Sequence, residues 1–375
     1  VAEACRPGPG SILSLPFTSS AYRDLQAETE ACLRRLLAIP DAFAVLFLAG
    51  GASAQFAAVP MNLLVAEGHG AAGAGARRET GAEAPGTAVA AGAAEFASAL
   101  YIDSGHWSRR AIAEARRFAR VAVRELAGVS RAAGALDEDA AHPFAYVHLT
   151  PNETADGLQF AQLPPTRAPL VADLSSELLT RPLDWQRLSL AYAGTQKTIG
   201  TPGLSLVVIR RTLLGRVRAD IPRLMDYGAQ AEADSRLCTP PVLPVFVAHR
   251  MLHWIEAAGG VAAMAARLHR RHALIAAAMA EGEAAGLYRW MAPVGWRSQV
   301  NPCFRLPTEE TTARFLDAAE AAGLRDLRGH PARGGVRLSL YNGLGDAAVE
   351  ALADFLARFA RGRVGSGIAR CGRGT

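Results

Sequence analysis

The sequence predicts an α/β protein, a largely parallel sheet with helices on both faces, followed by a smaller α+β unit. Three observations carry this. Short apolar runs of strand length alternate with helix-period segments, the runs end in small or polar turn residues, and beyond Pro244 the chain becomes mainly helical before two last strand candidates. A chain of 375 residues can bury a substantial core as two domains or one large unit. The boundaries read as an arm at 1–20, a large domain at 21–258 and a small domain at 259–362.

Tyr22–Leu37 carries a helical apolar pattern that stops before Pro40. Ala44–Leu48 is a buried-strand run entering Gly50-Gly51, and a helix follows from Gln55. Residues 66–98 are dominated by Ala and Gly, too poor in large apolar side chains to offset ordering entropy, and read as a flexible insertion. Ala99–Ile102, Phe144–Leu149, Pro169–Ala172 and Leu204–Ile209 are further strands, with a helix at Ala111–Ala119. Helical sequence runs from Pro244 through Trp254 and from Ala262 to Met279. Strands at Cys303–Leu306 and Val336–Leu340 then accompany helices at Thr311–Ala322 and Ala347–Arg361. Residues 363–375, rich in Gly and Arg, read as a disordered tail.

Composition narrows the function. The net charge is only +5 and the arginines are spread, in pairs such as Arg109-Arg110 beside acidic residues, which is the pattern of solvated helix faces. No nucleic-acid motif is present, and no apolar run is long enough to span a bilayer. Five cysteines without CxxC pairing fit free thiols in a reducing cytoplasm. His249 and His253 lie four apart, and His269 and His272 three apart, with no HExxH and no neighbouring carboxylate set, so no metal site is expected. Neither a GxSxG elbow nor a GxGxxG helix opening occurs.

Lys197 is the only lysine among 40 Lys and Arg residues. A guanidinium stays protonated, whereas an ε-amine can lose its proton and attack a carbonyl. A small-residue turn before the run Leu204–Ile209 suits a Schiff-base lysine at a sheet edge; a surface lysine left by compositional drift is the other reading, and the residue alone does not separate them. Ligands of open α/β sheets gather beyond the carboxyl ends of strands. There, Gly51-Ala52-Ser53 opens a helix and could cradle a phosphate. Thr154 follows one strand, and Asp173 with Ser175 follows another. Trp107 offers an aromatic face.

The segments GGASAQFAAVPMNLL, YIDSGHW, PNETADG, VADLSSELLTRPLD, YAGTQKTIGTPGLSLVVIRRTLLG and HPARGGVRLSLYN, in that order between about Ser11 and Arg361, resemble the phosphoserine aminotransferases. The resemblance implies the fold-type I architecture of enzymes that use pyridoxal 5'-phosphate, with a mainly parallel seven-stranded sheet in the large domain. It implies transamination between 3-phosphoserine and 2-oxoglutarate in serine biosynthesis, with the related step of pyridoxine biosynthesis also open. By the same resemblance Lys197 is the Schiff-base lysine, Asp173 holds the pyridine nitrogen protonated and Trp107 stacks on the ring. Ala52, Ser53, Thr154, Ser175 and Gln196 hold the phosphate and ring oxygen. Cys238-Thr239 reaches across the interface of a homodimer, Arg337 takes the substrate carboxylate, and His330 lies at the substrate.

Departures from that pattern concern the substrate's phosphate. A His-Arg pair of the family falls on Phe17-Thr18, an arginine of the cofactor turn on Ser53, and a second His-Arg on His330-Pro331, with Arg333 nearby. Each charge-assisted bond to phosphate is worth roughly 1.5–3 kcal/mol. Two alternatives therefore stand beside phosphoserine turnover: a sibling aminotransferase for a less anionic donor, or a decayed relative that binds little.

Overall fold

The computed structural model describes all residues except 9, 65–97, 127–134, 138–142, 216, 218–219 and 363–375. The expected insertion and tail lie outside the described residues. A helix α1 (Ser20–Leu37) is capped by Ser19, whose hydroxyl accepts from Tyr22 N, and stops where Ala38 turns left-handed. It feeds β1 (Phe43–Ala49), α2 (Ala52–Leu63), β2 (Ala99–Asp103), α3 (His106–Ala115), β3 (Val121–Glu125) and β4 (Tyr146–Leu149). A small hairpin, β5 (Asn152–Glu153) with β6 (Leu158–Gln159), precedes β7 (Leu170–Asp173), β8 (Leu188–Gly194) and β9 (Leu204–Arg210).

Seven strands form one sheet in the order β1-β9-β8-β7-β4-β2-β3. The pairs β8/β7, β7/β4, β4/β2 and β2/β3 are parallel; β9 runs antiparallel to both its neighbours. This is the mainly parallel seven-stranded sheet of fold-type I. Its inner strands are apolar on both faces because both are covered, while the edge strand β3 is largely exposed. Along β1, Phe43, Val45 and Phe47 join the core beneath α1, while Ala44, Leu46 and Leu48 join the core that contains Phe56 of α2 and Ile112 of α3.

After the short α4 (Tyr227–Glu232), α5 (Val242–Ala257) packs along α1. The 25-residue α6 (Gly260–Ala284) then links two cores: Val261 and Met264 belong to the first, Leu268, Ile275 and Met279 to a third. That third core holds β10 (Arg289–Trp290), β11 (Cys303–Arg305), α7 (Glu309–Ala321), β12 (Val336–Arg337) and α8 (Asp346–Ala360), centred on Phe304, Phe315, Phe355 and Phe359.

Several expected elements shift. The helix expected at Ala111–Ala119 is α3 and starts five residues earlier, because Glu153 and Asp156 accept from the backbone N–H groups at its start. The Val336–Leu340 strand keeps ladder pairing only at Val336–Arg337, although Leu338 N and Leu340 N still bond to Pro302 and Val300. Of the arm, Ile12 is buried and Phe17 packs on the first core, whereas Thr18 is exposed. No helix among the described residues is long and apolar enough to cross a membrane.

Candidate active site

The carboxyl ends of β4, β7 and β8 and the start of α3 converge on Lys197. This residue sits in the turn between β8 and β9, which is closed by Gly200 N donating to Thr195 O (2.7 Å) and Thr195 Oγ1 donating to Thr201 O (2.6 Å). Thr195, Thr198 and Ile199 are buried and anchor the turn. Lys197 Nζ lies 5.2 Å from the centroid of the Trp107 ring. Burial pushes the ammonium below its ordinary value; Asp173 opposes this, Arg337 adds to it and Glu153 opposes it. The charged groups that act on the amine are thereby identified.

Asp173 ends β7 and is buried; burial pushes its carboxyl up, while Ser175 pulls it down. Ser175 donates from its hydroxyl (2.6 Å) and its N–H (3.0 Å) to Asp173 Oδ1, and its Oγ accepts from Gly194 N (3.1 Å), tying the ends of β7 and β8 together. Gly194 leaves little room for a side chain: a Cβ there would displace the Gln196 amide, 2.5 Å away, and press on Ala52 N at 3.2 Å. Gln196 and the first turn of α2 therefore close on one point. Gly51, the N-cap of α2, supplies no side-chain cap, and Ser53 is exposed beside it. The helix thus starts with backbone donors free for an anion.

Trp107 is fixed twice, by its N–H donating to Glu153 Oε2 (2.9 Å) and its Nε1 donating to Thr154 Oγ1 (3.0 Å). Glu153 also accepts from Ser108 N at 2.7 Å, and burial pushes its carboxyl up to about 7 against those bonds. Sequence reading passed over Glu153, since nothing in Pro151-Asn152-Glu153-Thr154 tells that the acid turns inward onto a helix start.

Arg337 on β12 presents a buried Nε with no partner, and its charge acts on Lys197, His330 and Tyr341. His330 lies 4.3 Å from His106 and 5.8 Å from Trp107, ring to ring; burial pushes both imidazoles down. Arg333 is paired to Asp156 at 2.6 Å, the acid that also caps His106 N. Arg110 is an exposed residue of α3, as the sequence suggests, and its guanidinium also stands over Trp107 at 5.4 Å and acts on His106 and His330. Its partner in the pair, Arg109, binds Asp103. Pro331 is exposed.

Lys197, Asp173, Ser175, Trp107, Thr154, Ala52, Gln196, Arg337 and His330 are thus linked through direct contacts or shared fields, with Ser53 at the rim. Cys238 and Thr239 are exposed. The donor set suits pyridoxal phosphate: an uncapped helix start for its phosphate, a flat indole for its ring, a buried carboxyl for a cationic ring nitrogen and a desolvated amine for its aldehyde.

Residues 85–352 match the family model for class-V aminotransferases. The chain is 37% identical over 354 residues to the phosphoserine aminotransferase of Laribacter hongkongensis, covering 94% of this chain and 90% of that one. The solved phosphoserine aminotransferase of Bacillus circulans subsp. alkalophilus superposes with a TM-score of 0.81 at 32% identity, over 94% of this chain and 90% of that one. The pyridoxal-phosphate-bound phosphoserine aminotransferase of Trichomonas vaginalis gives 0.79 at 29%, over 95% and 94%.

Proposed function

The chain belongs to the phosphoserine aminotransferases of the class-V aminotransferase family, and from that premise we propose how its residues move an amino group from 3-phosphoserine to 2-oxoglutarate with pyridoxal phosphate. The observation that carries the reading is the desolvated amine of the single lysine, set between the buried Asp173 carboxyl and the unpartnered Arg337 Nε. When bound, the cofactor supplies an aldehyde for the amine and an electron sink for the substrate's Cα.

Lys197 has two tasks. It holds the cofactor between turnovers, and as a free amine it takes the proton from the substrate's Cα and returns it nearby. Burial assists because it disfavours the ammonium and so raises the neutral fraction of the amine above that of an exposed lysine. Asp173, lacking water, is best stabilised as an anion by a cationic N–H, and so keeps the ring nitrogen protonated. Trp107, locked by Glu153 and Thr154, fixes the ring plane. Ala52, Ser53 and Gln196 take the cofactor's phosphate, and Ser175 holds the ring side through Asp173. The free face of Arg337 suits a bidentate grip on the α-carboxylate of either substrate.

For the substrate's phosphate, Arg110 supplies the charge at the rim, and His106 and His330, whose cationic forms burial disfavours, supply neutral hydrogen-bond donors, with Arg333 released from Asp156 as the phosphate arrives. A second reading, a less anionic donor, is favoured by one observation: Arg333 is already neutralised, and Pro331 offers no donor. Purified enzyme given 3-phosphoserine and a panel of unphosphorylated donors, with the keto products identified by mass spectrometry, decides between them. Brisk turnover of another donor with none of phosphoserine would overturn the first.

The active unit is proposed to be a cytoplasmic homodimer in which Cys238 and Thr239, exposed in the single chain, meet the partner's cofactor phosphate. Residues 21–258 would bind the cofactor, and residues 259–362 would bring Arg337 and His330 to the substrate.

A further inference from the structure

On the side of the molecule where α1 and α5 pack together, three side chains point their donor atoms at one another. Glu28 Oε2 lies 3.1 Å from His249 Nε2, Glu28 Oε1 lies 3.2 Å from His253 Nε2, and the two Nε2 atoms are 3.1 Å apart. The sequence offered the His249–His253 pair without a carboxylate. The fold supplies one from the other helix, since positions four apart on α5 share a face and that face packs on α1.

The triangle is poorly explained by hydrogen bonds alone. Each Nε2 carries one proton or one lone pair, so three mutual contacts cannot all be satisfied without a fourth body. A cation at the centre accepts lone pairs from all three. A tetrahedral zinc site with bonds of about 2.0–2.1 Å has ligand atoms about 3.3 Å apart along each edge. The two imidazole nitrogens, and each carboxylate oxygen with its own imidazole, are spaced within about 0.25 Å of that edge, so Glu28 can meet the ion through both oxygens and solvent can complete the shell. Access is open, because the Glu28 side chain is 58% exposed and that of His253 31%, whereas His249 at 11% is the rigid inner ligand. His253 Nδ1 faces Glu256 Oε2 at 3.6 Å, and Glu256 is held by two bonds from Arg35, a support of the kind that orients ligating imidazoles.

A neighbouring trio, Cys32, His253 and Glu256, shares His253. It is the weaker site: Cys32 is fully buried, burial pushes its thiol up to about 11, and Glu256 is already committed to Arg35.

We propose that Glu28, His249 and His253 bind one divalent transition-metal ion of the zinc class, clipping α1 to α5 at a site separate from the lysine centre. Imidazole and carboxylate donors suit Zn²⁺, and Co²⁺ or Ni²⁺ in its place. The inference does not depend on the substrate or cofactor.

The test uses cofactor-loaded enzyme stripped of metal and titrated calorimetrically with Zn²⁺. One saturable site per chain is expected, with a thermal unfolding midpoint that rises as the site fills. His249→Ala with His253→Gln should weaken that binding at least about tenfold and remove the thermal shift, leaving transamination without added metal unchanged. Glu28→Gln, on an exposed side chain that tolerates change, should weaken it by a similar factor and serves if the double variant fails to fold. Absence of saturable binding, or binding and thermal shift that persist in these variants, overturns the proposal.

Discussion

Lys197 differs from an exposed lysine in one physical respect: burial disfavours its charge, and only Asp173 and Glu153 restore part of it. A lysine whose pKa falls below the ordinary 10.5 is neutral, and so reactive, at lower pH than a free one. In cofactor-free enzyme, acylation of Lys197 followed by mass spectrometry should therefore show a midpoint below that of a lysine peptide. Because the chain has no other lysine, the signal is free of background from other side chains. Asp173→Asn removes a charge that holds the proton on, so the midpoint should fall further; a rise would contradict the assigned geometry. The lone amine stands out in sequence because its chemistry is intrinsic to the side chain, although only the resemblance singled out the Schiff-base reading. Glu153 and Arg110 were illegible because their importance comes from where α3 begins, a matter of packing. The histidine pair was read as surface for the same reason, its carboxylate lying 221 residues before His249 in the chain's numbering (His249 minus Glu28).

At the scale of elements, the site is a set of strand ends held in register. Gly194, last residue of β8, is approached by both Ala52 and Gln196. Gly194→Ala should push both outward and weaken cofactor binding about 10- to 100-fold, the equivalent of roughly 1–3 kcal/mol of overpacking. Absorbance titration with pyridoxal phosphate measures it. In the sheet interior, His148 of β4 stacks on Tyr101 at 4.5 Å and bonds Tyr192 Oη at 2.9 Å through Nε2. Burial lowers its pKa from 6.5 to about 3. The folded state thus keeps this ring neutral while the unfolded chain takes up a proton. The stability it permits is full above pH 6.5 and is lost as pH falls toward about 3, at most about 5 kcal/mol in all. Urea unfolding across that range should show the loss, and His148→Gln should flatten it. Sequence periodicity found β1, β2, β4, β7 and β9 because their apolar runs are continuous. It missed β8, whose Leu-Ser-Leu-Ala-Tyr-Ala-Gly blends into the small-residue turn, and β3, an edge strand with exposed side chains.

For the whole molecule, the proposed shared site makes a sharp demand. Lys197→Arg cannot hold the cofactor covalently, and Thr239→Glu would repel the neighbouring phosphate. Each homodimer should be nearly inactive. After unfolding and refolding together, half the dimers are hybrids with one intact site each, so roughly a quarter of the wild-type rate should return. No recovery would show that Thr239 serves its own chain or none. The α/β class and the parallel sheet could be read from strand and helix alternation, whereas the proposed reach of Cys238 and Thr239 toward a partner came from the resemblance alone, since by themselves they look like any solvent-facing turn.

The pairing of β1 solely with β9, Phe43 opposite Arg210 and Ala49 opposite Leu204, also governs how the polypeptide must be made. During synthesis the ribosome releases Phe-Ala-Val-Leu-Phe-Leu-Ala long before its strand partner exists. Until roughly 160 further amino acids emerge, that oily ribbon has both backbone rims unsatisfied, the condition that invites self-association and chaperone capture.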